Sequence, residues 1–139
     1  MGFFKKLLGL DTKPGEPETL DDRIFDEIIG EPDMPVFVFF FNLWCSGCQV
    51  LHGLLNEVGP EYMGRARFYK MDVNKSPHAV TELGIRGVPV LAVFSPGGAA
   101  DRIAGLMNIT ELRDWIESRI SGEGAATTQD ISETDQDRG

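Results

Sequence analysis

Trp44-Cys45-Ser46-Gly47-Cys48 is the stretch on which the reading of this chain turns, and its two cysteines are the only ones in the protein. An unbroken apolar run, Val36-Phe37-Val38-Phe39-Phe40-Phe41, leads into it, and Val50, Leu51, Leu54, Leu55 and Val58 follow at helical spacing. A strand without polar alternation is buried on both faces, which calls for helices above and below a largely parallel sheet. A strand that ends in Cys-x-x-Cys and turns at once into a helix places the first sulfur at the helix N-terminus. There, free N–H groups and the positive end of the helix dipole stabilise a thiolate. That is the chemistry of a dithiol/disulfide couple.

Working outward, Leu20, Ile24, Phe25, Ile28 and Ile29 share a face of a first helix that Gly30 and Pro32 end. The helix that starts at Ser46 is expected to reach about Tyr62, with Gly59-Pro60 marking a break near its end. Ala66–Val73 reads as a second strand. Ser76-Pro77 then offers an N-cap followed by proline at the first helical position of a short helix that Gly84 stops. Val88–Phe94 reads as a strand that begins with Pro89, and the turn Ser95-Pro96-Gly97-Gly98 leads to an antiparallel edge strand over Ala99–Ala104. Asn108 and Glu111 resemble a capping box for a last helix with Leu112, Trp115, Ile116 and Ile120 on its apolar side. The order of elements describes an α/β fold with a central mixed sheet of about four or five strands and helices on both faces.

The chain divides into an amphipathic segment and linker over 1–19, a folded domain over 20–121 and a disordered acidic tail over 122–139. Phe3, Phe4, Leu7, Leu8 and Leu10 surround Lys5-Lys6, a pattern able to lie weakly on an anionic membrane or in a partner's groove. The competing reading of residues 2–10 is a frayed terminus. With 139 residues, 42% of them apolar, the chain can bury one real core. A formal net charge of −9 argues against a nucleic-acid partner. Too few cysteines for a disulfide framework, and no apolar stretch of secretory type, point to a reducing, cytoplasmic setting, peripheral to the inner face of a membrane if residues 2–10 dock there.

Trp44-Cys45-x-x-Cys48 at a strand-to-helix junction, Asp72-Val73-Asn74 at the end of the next strand, Gly84-Ile85-Arg86-Gly87-Val88-Pro89, and Gly105 before the last helix together resemble the thioredoxin family over about Leu20–Ile120. Cys-x-x-Cys alone is weak evidence, since zinc ribbons use it too; joined to the later Val88-Pro89 in the right order of elements it becomes specific. The resemblance implies a thioredoxin fold and a protein-disulfide oxidoreductase. In it Cys45 is the nucleophile, Cys48 resolves the mixed disulfide, and Lys70 tunes their ionisation. It implies a cis Val88–Pro89 bond, and a shallow groove for protein disulfide clients walled by Trp44, Gly87, Val88, Pro89 and Gly105. It further implies no cofactor beyond the redox-active disulfide itself, a recycling partner like thioredoxin reductase, and a monomer.

The sequence departs from the family at three places. The buried aspartate that accepts a proton from the resolving cysteine is replaced by Phe39, although Lys70 matches the lysine that normally neighbours it. Without that carboxylate another base, or water, must take the proton of Cys48. Ser46-Gly47 replaces Gly-Pro between the cysteines, and Gly53 stands where a proline often kinks the helix, leaving it straighter or bent at glycine. Two rival readings remain at this point. One is a binding or adaptor module on the same fold whose dithiol is a redox switch or vestigial. The other is a metal site built from Cys45, Cys48 and His52, with His78 the only other imidazole.

Overall fold

The computed structural model describes residues 14–121. The amphipathic pattern over 2–10 and the acidic stretch over 122–139 lie outside the described residues. Strand β1 (Glu18–Thr19) is followed by a 3-10 turn (Asp22–Ile24) and helix α1 (Phe25–Gly30). Strand β2 (Val36–Phe41) runs into α2 (Ser46–Val58), which tightens into a 3-10 turn over Gly59–Tyr62 before β3 (Arg67–Asp72). A further 3-10 turn (Val73–Lys75) precedes α3 (Pro77–Leu83). The hairpin of β4 (Val90–Phe94) and β5 (Ala100–Ala104) leads to α4 (Ile109–Ser121).

The five strands lie in the order β1-β3-β2-β4-β5. β2 pairs in parallel with β3 and antiparallel with β4, so the sheet is mixed. The side chains of β2 alternate between two cores, as a strand covered on both faces must. Phe37 and Phe39 pack with Leu51, Leu55 and Val58 of α2 and with Leu112 and Ile116 of α4. Val36, Val38 and Phe40 pack on the other side with Phe25 of α1 and Ala79 of α3. Phe37 stacks on Phe68 at 4.9 Å and meets Trp115 edge-on at 5.9 Å. Truncating such a fully buried ring costs about 3–5 kcal/mol. The capping box of α4 closes reciprocally, with the Glu111 N–H donating to Asn108 at 2.8 Å and the Asn108 N–H donating to Glu111 at 2.9 Å.

Three local expectations shift. The linker expected to run through Thr19 ends earlier: Glu18 and Thr19 pair with Tyr69 and Lys70, and the Leu20 N–H donates to the Lys70 carbonyl at 2.9 Å. Pro14, Gly15 and Pro17 look like a spacer, yet Gly15 (φ 92°) comes against Gly59-Pro60 so closely that a Cβ on Gly59 would run into the Gly15 carbonyl. Only paired glycines allow that approach. The first helix begins at Phe25 and not at Leu20, because Asp21 caps a 3-10 turn first, its carboxylate accepting the Arg23 N–H at 2.8 Å. Pro89 stands just outside β4, where its missing N–H leaves the ladder intact. Helix α2 passes through Gly53 without a break. Among the described residues no helix is long and apolar enough to cross a membrane.

Candidate active site

Between β2 and α2 the chain must reverse direction within Asn42–Cys45, and Asn42 organises that reversal. Its side-chain oxygen accepts the Trp44 N–H at 2.9 Å, and its carbonyl accepts the Cys45 N–H at 3.4 Å. Asparagine directly after a strand is a turn former that can bond its own backbone two residues on. That signal is local to Asn42 and lies in the sequence itself. Cys45 then takes the N-cap position of α2: its backbone is extended (φ −98°, ψ 110°) and its Sγ accepts the Cys48 N–H at 3.0 Å. A helix N-terminus therefore aims a donor at this sulfur.

The two thiols, both free in the structure, differ in environment: Cys45 is half-buried and Cys48 is 2% exposed. Burial pushes the Cys48 thiol up to about 11. Its contact with Cys45 adds to that, while a hydrogen bond from the Asn42 backbone opposes it. A thiol so held is protonated at neutral pH and needs an acceptor for its proton before it can act as a nucleophile.

The later motif comes to the cysteine loop from the opposite side. A Cβ on Gly47 would lie 3.8 Å from the Pro89 ring, an ordinary contact, so Gly47 and Pro89 are neighbours. The Val88–Pro89 bond is cis. Gly105, in the left-handed region at φ 93°, donates its N–H to the Pro89 carbonyl at 3.0 Å. Gly87, Val88, Pro89 and Gly105 line one shallow depression together with Arg86 and Arg102. Trp44 does not line it. It stands beside the loop 89% exposed, with Leu43 and Leu106 also largely exposed.

Lys70 lies on the far side of Cys48. In register it pairs with Phe39, and its Nζ finds an imidazole where the resemblance would supply a carboxylate: His52 Nε2 is 3.3 Å away. The His52 ring lies nearly parallel to Phe39, 6.1 Å between centroids. Burial holds the His52 imidazole below its ordinary value, the charge of Lys70 lowers it further, and Glu16 opposes both. Cys48, His52 and Lys70 line one cavity of ≈ 400 Å³ together with Phe39, Phe41 and Asp72.

The metal reading of this site is not favoured. His52 faces an ammonium, and His78 is an exposed residue of α3, bonded to Asp26 at 2.8 Å. Among the described residues no group of three or more His, Cys, Asp or Glu is placed to hold a metal ion.

Comparison with known proteins agrees with the geometry. The profile of the thioredoxin family matches residues 16–118. Thioredoxin of Rickettsia conorii is 33% identical over 99 residues, which cover 71% of this chain and 94% of that protein. A chloroplastic M-type thioredoxin of Pisum sativum is 30% identical over 105 residues, covering 76% of this chain and 61% of that one. Among solved structures, chloroplastic thioredoxin z superposes with a TM-score of 0.68 at 27% identity, over 77% of this chain and 96% of the other.

Proposed function

The chain belongs to the thioredoxin family and is a thiol–disulfide oxidoreductase, and from that premise we propose that Cys45 and Cys48 carry the reaction on protein disulfides. The observation that carries this assignment is the pairing of an accessible sulfur, Cys45, at the start of α2 with a buried one, Cys48, whose N–H points at it. In the first step the Cys45 thiolate attacks one sulfur of a client disulfide. A bond forms between Cys45 and that sulfur, and the other client sulfur leaves as a thiolate. In the second step Cys48 gives up its proton and attacks Cys45 Sγ. The Cys45–Cys48 bond forms and the first client sulfur departs. The client gains two electrons and, from solvent, two protons; the protein is oxidised to its internal disulfide.

Gly87, Val88, Pro89 and Gly105 form the seat for the client's extended backbone, with exposed Trp44 offering an apolar flank. Their shared depression beside Gly47 supports this reading. No cofactor enters the scheme. A reductase of the thioredoxin-reductase type recycles the disulfide, and the protein works as a cytoplasmic monomer. The scarcity of cysteine supports that compartment. The reading of the fold as a mere adaptor is not favoured by the relatives, which are themselves thioredoxins. Weak peripheral membrane contact through residues 2–10 belongs to the same proposal. Vesicle pelleting with and without that segment checks it, and equal pelleting removes it.

The deciding experiment is reduction of insulin disulfides with dithiothreitol as electron donor. The wild-type chain accelerates it, while reduced Cys48→Ser, mixed with insulin after dithiothreitol has been removed, accumulates a mixed disulfide through Cys45. A Cys48→Ser protein that forms no adduct, with wild-type turnover retained, sinks the assignment. Equilibration of the wild-type pair with a glutathione series then fixes the direction of electron flow.

A further inference from the structure

The second step needs an acceptor for the Cys48 proton, because a thiol pushed up to about 11 supplies almost no thiolate near neutrality. On β2 the residues facing this region are Phe39 and Phe41, which accept nothing. The groups that can take a proton around the cavity shared with Cys48 are His52 on α2 and Asp72 on β3. The Asp72 carboxylate is committed to the turn that follows its strand, accepting the Asn74 N–H at 2.9 Å. His52 sits one helical turn beyond Cys48, and side chains four apart on a helix lie on one face about 5–6 Å apart at Cβ. Its ring is fixed between the Phe39 ring at 6.1 Å and the Lys70 ammonium at 3.3 Å. An ammonium has only donors, so the contact makes Nε2 an acceptor and places the ring proton on Nδ1. A cavity of ≈ 400 Å³ has ample room for a bridging water.

We propose that His52 is the proton acceptor for Cys48 in the resolving step, reached through water in this cavity, and that Lys70 is a positioning residue whose ammonium, bonded to the lone pair of Nε2, keeps that nitrogen unprotonated until it moves aside. This rests on the exchange mechanism proposed above. As Cys48 attacks, its proton passes through water to Nε2, the Cys45–Cys48 bond forms, and the client sulfur leaves as a thiolate. For that transfer the Lys70 ammonium first swings off Nε2 on its flexible stem and the water takes its place, because the nitrogen has a single lone pair. The imidazolium then gives its proton to solvent or to the departing thiolate. Lowered by burial and by Lys70, His52 is neutral at pH 7 and ready to accept. The charged groups that bear on it are Lys70 and Asp72 on β3, Lys75 in the following turn and Glu16 ahead of β1, with Cys48 on its own helix.

The test is stopped-flow reaction with the aromatic disulfide dithiobis(nitrobenzoate), which releases one coloured thiolate when Cys45 attacks and a second when Cys48 resolves. The first phase judges the exchange mechanism: its absence from the wild-type chain overturns that mechanism and leaves the role of His52 without a reaction. The second phase judges His52. In the wild-type chain its rate is expected to rise as His52 loses its proton below about pH 6.5 and then to level off toward about pH 9. In His52→Gln and His52→Ala the plateau should vanish. The rate is then expected to be at least about tenfold lower at pH 7 and to climb about tenfold per pH unit toward the Cys48 value. Lys70→Met should move the acid limb to higher pH. Plateaus retained in both His52 variants, or a plateau lost in Asp72→Asn instead, overturn the inference. A change in melting temperature with an unchanged pH profile also overturns it, since that is what a purely structural histidine produces.

Discussion

Helices α2 and α3 begin with the same problem, first-turn N–H groups that no helical carbonyl can pair, and close it with different chemistry. At α3 the Asp22 carboxylate, from the turn before α1, accepts the His78 and Ala79 N–H groups, each at 2.9 Å. At α2 the acceptor is the Cys45 sulfur, 3.0 Å from the Cys48 N–H, and a thiol sulfur is a weak acceptor. A full anion is built into the structural end. The reactive end is left to the sulfur that attacks the client as a thiolate, so the helix field serves chemistry there and only stability at α3.

Exchanging the capping groups should therefore break the comparison in opposite ways. Cys45→Ser is expected to have the largest effect on chemistry: catalysed insulin reduction falls to the uncatalysed rate. Because serine is itself a good N-cap, urea denaturation should show a change within about 0.5 kcal/mol. A large loss of stability would mean that the sulfur is structural. Asp22→Ala is expected to reverse the pattern. Removing a cap that serves two N–H groups should cost about 1–2 kcal/mol, a fall in Tm of about 4–8 °C per kcal/mol for a domain of this size. The rate of the first thiolate release should stay at its wild-type value, because Asp22 lies on the other side of the sheet. Asp22→Asn, which keeps one accepting oxygen, should fall between the two.

These caps also mark where sequence reasoning stops. The cysteines, the strand before them, the two-sided burial of that strand and the Asn108/Glu111 box were legible because each is a pattern within a few residues. Ser76 was legible as an N-cap by the same logic, and it does occupy the cap position, but its side chain makes no cap hydrogen bond. The actual cap is Asp22, 57 residues from Ala79, and no local pattern encodes that partner. Thr19 was likewise invisible as a strand: two residues show no periodicity, and their pairing is decided by the free edge of β3. For His52 the four-residue spacing to Cys48 was visible, but it fits a metal ligand and a helix surface equally well. The Lys70 ammonium beside its ring decides against a metal, and that contact spans 18 residues.

The smallest effect separates the two histidines, one on each face of the sheet. Chiefly through its hydrogen bond to Asp26, and with Glu82 and Asp22 adding to the field, His78 is held above its ordinary 6.5. Its folded form binds the proton more tightly than the unfolded chain. Its contribution to stability is therefore fully present below about pH 6.5 and is lost as pH rises through the raised folded value. For His52 the sign is opposite. Its folded value is lowered by burial and then by Lys70, so its contribution is present above about 6.5 and is lost as pH falls through the window beneath it. Thermal unfolding between about pH 5 and pH 8 at low salt, in His78→Gln and His52→Gln, reads the two slopes separately. The first variant should lose a decline toward alkaline pH, and the second a decline toward acid. Because the His78 and Asp26 side chains are 45% and 68% exposed, the alkaline slope should be the shallower and should fade when salt is raised. Slopes of the same sign would mean that the buried setting of His52, the first cause of its lowering, does not persist in solution.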